Sequence, residues 1–157
     1  MRRSVLALAC ALPLLSSACD LGTTEPAAPA IENTTFAPGL GVDLAASTRT
    51  SSGLYYRDLT LGTGAVVSVG DSISVHYVGS FTSGATFDQN VPGNAPLRFR
   101  AGRGQLIAGF DEGVIGMRVG GRRQLIIPPS LGYGSRPHQT IPGNSILVFA
   151  VEVVAKH

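Results

Sequence analysis

Between Gln105 and Gly121 lies the one stretch whose apolar spacing suits an amphipathic helix. Phe110, Val114 and Met117 fall at i, i+4 and i+7 and so share one helical face. Asp111 and Glu112 sit in the first turn, where acidic groups complement the positive end of the helix dipole. Gly116, Gly120 and Gly121 then weaken and end the helix. A single short helix cannot bury its own apolar face, so strands must curl around it. Leu106 and Ile107 lead into Phe110, which gathers three large apolar groups at the helix entrance. That entrance is the expected floor of an active site.

The rest of the chain from Gly53 onward reads as strands. Ile73, Val75 and Tyr77 face one way while Ser74 and His76 face the other. Leu97 and Phe99 alternate with Arg98 and Arg100, and Arg123, Leu125 and Ile127 with Arg122, Gln124 and Ile126. Pro128-Pro129 ends that strand, and residues 132–143 form a long loop carrying Tyr133, Pro137, His138 and Ile141. The last strand puts Leu147, Phe149, Val151 and Val153 on one face. The expected fold class is α+β: a curved antiparallel β-sheet wrapped around one short α-helix, spanning 53–157.

Ahead of this domain, residues 1–18 read as an export signal. Arg2 and Arg3 start it, an apolar run from Val5 to Leu15 follows, and Ser16-Ser-Ala18 supplies small residues before the cleavage point. The run is shorter than the roughly 20 apolar residues of a comfortable membrane span. Cys19 then resembles the modified cysteine of bacterial lipoproteins, which implies lipidation there and a membrane anchor on the periplasmic side of the cell envelope. The same small residues also suit an ordinary signal peptidase. Both cysteines, Cys10 in this leader and Cys19 just after it, precede the domain, so the domain itself has neither a disulfide nor a thiolate nucleophile. Residues 19–52 are rich in Thr, Pro, Ala and Ser and read as a flexible tether reaching about 30 Å. Phe36, Leu40, Val42 and Leu44 are the exception and could pack on the domain or touch a partner.

Twelve Lys and Arg face ten Asp and Glu, and two of the twelve, Arg2 and Arg3, belong to the leader. The remaining chain is close to neutral, which excludes nucleic acid as a main partner, since that needs clustered positive charge. Arg98, Arg100 and Arg103, like Arg122 and Arg123, read as solvated strand faces. The three histidines, His76, His138 and His157, lack the spacing of a metal site. There is no Gly-x-Ser-x-Gly elbow or phosphate loop, and Gly102-x-Gly104 lacks the third glycine of a dinucleotide fingerprint. No cofactor or metal is expected. What stands out is apolar and aromatic groups at strand ends and in loops, with one acid, Asp88, beside Phe87. Phe99 and Phe149 taken singly read as core, whereas Tyr133 and Ile141 lie in a Gly- and Pro-punctuated loop where apolar groups need a reason.

Five linked motifs carry a resemblance. Val75-His-Tyr-Val-Gly79, Thr86-Phe-Asp88, Leu106-Ile-Ala-Gly-Phe-Asp-Glu-Gly-Val114 with Gly116-Met-Arg-Val-Gly120, Pro128-Pro-Ser-Leu-Gly-Tyr-Gly134 and Ile141-Pro-Gly-Asn-Ser-Ile-Leu-Val-Phe149 together resemble the FKBP family. Members of that family are peptidyl-prolyl cis-trans isomerases. The resemblance implies that Tyr77, Phe87, Leu97, Phe99, Leu106, Ile107, Phe110, Ile141 and Phe149 line a proline pocket. It implies that Asp88 and Tyr133 carry catalysis, Asp88 orienting groups at the rim and the Ile107 N–H and Tyr133 O–H bonding substrate carbonyls. Proline-containing polypeptides are the implied clients, macrolides the implied inhibitors, and a monomer the default state.

The residue chemistry suits that activity. Rotation about a peptide bond is opposed by about 18–20 kcal/mol, and X-Pro bonds turn unaided in tens to hundreds of seconds. A ten-thousand-fold acceleration needs only about 5.4 kcal/mol. No bond breaks, so no nucleophile is required, and a twisted amide is less polar at its carbonyl than a planar one, so a dry aromatic pocket favours it. Three departures bear on ligand choice. Phe110 stands where the family most often has Trp, Leu97 where an aromatic is common, and the loop from Tyr133 to Pro142 is one residue short. Weaker binding of bulky macrolides is expected, with catalysis retained. The rival expectations are a non-catalytic proline-binding or chaperone module and a structural lipoprotein with a vestigial pocket.

Overall fold

The structure, a computed structural model, describes residues 28–157. The expected signal segment 1–18 and the lipidation residue Cys19 lie outside the described residues. Seven strands follow one another as β1 (Thr48–Arg49), β2 (Tyr55–Thr60), β3 (Ser72–Phe81), β4 (Thr86–Asn90), β5 (Leu97–Arg100), β6 (Arg122–Ile127) and β7 (Leu147–Lys156), with one helix, α1 (Ala108–Gly113), between β5 and β6. All pairings are antiparallel, in the order β1-β2-β6-β7-β3-β4, and β5 joins the β3 edge beside β4. The expected architecture, a curved antiparallel sheet around one short helix, is the one observed.

Strand alternation decides which face is which. Ile73 and Val75 of β3, Leu125 and Ile127 of β6, and Leu147, Val151 and Val153 of β7 are each fully buried in the core cluster that also holds Phe110 of α1. The helix is shorter than the sequence suggests, because its glycines serve close approach rather than length. A Cβ at Gly109 would stand 2.5 Å from Ile127 Cγ2, and one at Gly113 would stand 2.5 Å from Leu125 Cδ2. Gly116, at φ +79°, then turns the chain away. Phe110, Val114 and Met117 are all still buried, as the spacing requires, although only Phe110 lies within the helix.

Two charged residues are buried, Asp111 of the first helical turn and Arg123, the latter against its reading as a solvated group. Asp111 is buried, and its carboxylate accepts from the Gly102 and Gly104 N–H groups at 2.6 and 2.7 Å, tying down the loop that enters α1. Arg123 is buried on the inner face. It donates to both Asp58 carboxylate oxygens and to the Gly113 and Ile115 carbonyls at the end of α1, with its guanidinium 4.5 Å from the Tyr56 ring centroid. A buried Arg is tolerated because nearly every donor is paired.

The outer face holds the larger correction. The tether expected over 19–52 gives way at its domain end to a strap over 31–49. Single 3-10 turns at Ile31–Asn33 and Pro38–Leu40 lead along the sheet to β1. Ile31 is buried with Tyr55, Ile126, Ile146 and Val148 of the outer face, and Phe36, Leu40, Val42 and Leu44 pack on that cluster. Backbone groups join in: Leu40 C=O accepts from Gln124 Nε2 and Gly41 C=O from Arg57 Nη2, both at 2.7 Å. Thr, Pro, Ala and Ser dominate the composition of 19–52, but five apolar side chains spaced along the strap suffice to seat it.

Candidate active site

A cleft of about 340 Å³, open mouth included, is lined by Tyr77, Asp88, Leu97, Leu106, Ile107, Phe110, Tyr133 and Phe149. These come from β3, β4, β5, the β5–α1 loop, α1, the β6–β7 loop and β7, so elements far apart in the chain converge on one place. Two roomier hollows, each about 510 Å³, mix apolar with polar and charged groups, the latter including His76, Asn90, Arg122 and Glu152 in one and Glu32, Arg49 and Ser52 in the other. Neither gathers aromatic rings around a dry floor.

Phe110 forms that floor, 3% exposed. Its ring meets Tyr77, Phe149 and Phe99 edge to face, at centroid distances of 5.8, 5.4 and 5.9 Å, the geometry that aromatic quadrupoles favour. Phe87, Phe99 and Ile141, expected among the lining residues, are not among the eight that line this cleft. Phe87 abuts Phe149 at 5.5 Å, and Ile141 is buried in a turn whose N–H and C=O both bond to His138. Phe87 and Phe99 each touch a lining ring directly.

The rim is polar. Tyr77 Oη donates to Asp88 Oδ2 at 2.8 Å, which fixes an exposed carboxylate on an edge strand. Burial and this bond push the Tyr77 phenol well above its ordinary 10. Burial first, then the Asp88 charge, also raises Tyr133. Both hydroxyls therefore keep their protons at any physiological pH. Tyr133 Oη and the Ile107 N–H have no acceptor among the described residues, so both can serve an incoming carbonyl.

Two contributors escaped the sequence reading. His138 stacks on Tyr133 at 4.8 Å and 10°, bracing the ring whose hydroxyl faces the cleft. Gly79 is the second: a Cβ there would fall 2.7 Å from Phe149 and 2.8 Å from Phe87, so only glycine lets these rings meet across β3. The signal was present, since a glycine inside a strand pattern marks a close approach. The stacking partner of Tyr133 has no such sequence mark.

A family model described as FKBP-type peptidyl-prolyl cis-trans isomerase matches residues 64–154. A protein named FK506-binding protein 4, from Chaetomium thermophilum, is 45% identical over 117 residues, covering 74% of this chain and 23% of that protein. The chain thus spans about a quarter of the length of such a relative. FK506-binding protein from Streptomyces anulatus is 45% identical over 106 residues, covering 65% of this chain and 85% of its own. Among solved structures, that of AtFKBP13 aligns with a TM-score of 0.65 at 36% identity, covering 71% of this chain and 98% of that one.

Proposed function

The chain belongs to the FKBP-type peptidyl-prolyl cis-trans isomerase family, and we propose that it accelerates rotation about X-Pro bonds in polypeptide clients by seating proline in the aromatic cleft. The convergence of seven residues around Phe110, with Asp88 bonded to Tyr77 at the rim, carries the proposal. The apolar floor takes the prolyl ring. The planar amide, whose carbonyl is the more polar, loses hydration on entering; the twisted amide loses less, so the barrier falls. Ile107 N–H and Tyr133 O–H hold flanking carbonyls of the client while the bond turns. Asp88 fixes the Tyr77 ring and supplies a negative rim. These groups orient and exclude water, and none needs to gain or lose a proton.

The relatives' name, FK506-binding protein, supports the same cleft as a macrolide site here. Phe110 and Leu97, both smaller than the aromatic groups usual in the family, predict weaker macrolide binding than in most members. Phe110→Trp should tighten it, and a Trp variant that bound no better would count against this view. The leader and Cys19 support an exported, lipid-anchored protein that acts on envelope or secreted proteins as a monomer.

The test is isomerisation of a short X-Pro peptide by the full chain beside Tyr133→Phe and Asp88→Ala. Acceleration that falls in both variants is expected. Acceleration untouched by either would move the site elsewhere. A folded chain that accelerates nothing would leave a proline-binding module.

A further inference from the structure

β4 carries Phe87 and Asp88 and is an edge strand, paired to β3 alone. Its register is irregular. Gly79 pairs with Asp88 and Ser80 with Thr86, which leaves Phe87 as an extra, bulged residue. A bulge re-aims the side chains on either side of it, and a slip of one residue would turn Asp88 to the opposite face. The site's acid therefore depends on how the turn before β4 is held.

That turn, from Phe81 to Ala85, has two local backbone–backbone bonds, Phe81 N–H to Ala85 C=O and Gly84 N–H to Phe81 C=O, each 2.9 Å. Phe81 at its start is paired with Leu147 of β7, and past that strand end the one backbone bond from the turn to the rest of the described residues is that of the strap's Ala37 N–H to Thr82 C=O at 2.8 Å. Gly84, at φ +87°, lies against the same residue: a Cβ there would come within 3.2 Å of Ala37 Cβ. The strap is itself fixed to β2 and β6 through Gln124, Arg57 and the apolar cluster. It thus gives the turn into β4 a support beyond the β3–β7 pairing, on the side where β4 has no second strand.

We propose that Ala37 is a positioning residue of the active site, holding the β3–β4 turn so that Phe87 and Asp88 meet Phe149 and Tyr77. The path is short. Phe81 contacts Phe87 at 5.0 Å, Phe87 contacts Phe149 at 5.5 Å, and Asp88 accepts from Tyr77 at 2.8 Å. Ala37 lies outside the family-matched residues 64–154, so the family likeness does not supply this support. Its activity consequence rests on the isomerase reading above, but its structural consequence does not.

Ala37→Pro tests it in the full chain. The native φ of −59° already suits proline, so the substitution deletes the N–H and crowds Thr82 while keeping the backbone path. Ile31→Ala, at the far end of the strap, is the control that weakens seating without touching the turn. Amide NMR shifts and kcat/KM on an X-Pro peptide are read at matched fraction folded. Ala37→Pro should move the Phe87 and Asp88 amides and lower kcat/KM roughly three- to tenfold, since sub-ångström misplacement costs rate. Ile31→Ala should do neither. Shifts that stop at Ala85, or an equal effect from Ile31→Ala, would overturn the proposal. Should the wild-type chain accelerate nothing, the amide shifts alone decide it, and the isomerase reading fails separately.

Discussion

The two faces of the sheet solve the same burial problem differently. On the inner face a six-residue helix and the rings of Phe99, Phe110 and Phe149 close most of the space and leave one corner open as the cleft. On the outer face the apolar half, with Tyr55, Ile126, Ile146 and Val148, lies under the strap. The half beyond it, with His76, Asn90, Arg122 and Glu152, faces solvent. The inner face thus joins stability to chemistry, since the same rings are core and binding surface. On the outer face stability is nearly separate from chemistry, touching it only through Ala37.

Truncation should expose that contrast most sharply at Phe149, which is 4% exposed and shared by core and cleft. Phe149→Ala is expected to cost about 3–5 kcal/mol in urea unfolding and to abolish peptide isomerisation in whatever fraction stays folded. Ile126→Ala, on the outer face and 1% exposed, should cost about 2–4 kcal/mol and leave kcat/KM per folded molecule unchanged. Equal losses of activity in the two variants would erase the distinction between faces. Tyr77→Phe removes only the bond to Asp88. It should lower stability by about 1 kcal/mol or less, with a proportionally larger fall in kcat/KM.

Acid should give the smallest effect and separate the faces again. The Tyr55 hydroxyl holds Glu32 below its ordinary 4.5. Glu32 therefore adds stability that is full above that value and lost as pH falls through the lower, folded one. Lys156 likewise lowers Asp71, so Glu32→Gln is needed to isolate the strap's share: it should flatten, but not abolish, the decline of the urea midpoint between pH 5 and 3. The cleft should show the opposite. With Tyr77 and Tyr133 both raised above 10, kcat/KM should stay flat from pH 7 to about 9.5.

Much of the inner face was legible in the sequence because period-two alternation reports directly which side chains share a face. Ile73 with Val75 and Phe149 with Val151 are of that kind. The motifs around Tyr77, Asp88, Ile107, Phe110 and Tyr133 located most of the cleft. Layering was not legible: alternation places Phe87 and Phe99 toward the inside but cannot tell the wall from its support. The charge state of a position was equally silent, since Arg123 looks like Arg122 until Asp58 and two carbonyls enclose it. The strap was the hardest to read. Phe36, Leu40, Val42 and Leu44 have no regular period, because a segment laid across a sheet follows the pits of that surface.

In thermodynamic terms the strap is a ligand that the chain carries for itself. Being covalently attached, it meets its groove at an effective concentration on the order of millimolar, whatever the protein concentration. A chain started at Gly53 would keep the groove and lose the occupant. A peptide copying residues 31–44 would then need about that concentration to restore what attachment supplies. The outer groove is thus a binding site whose saturation is written into the order of the sequence.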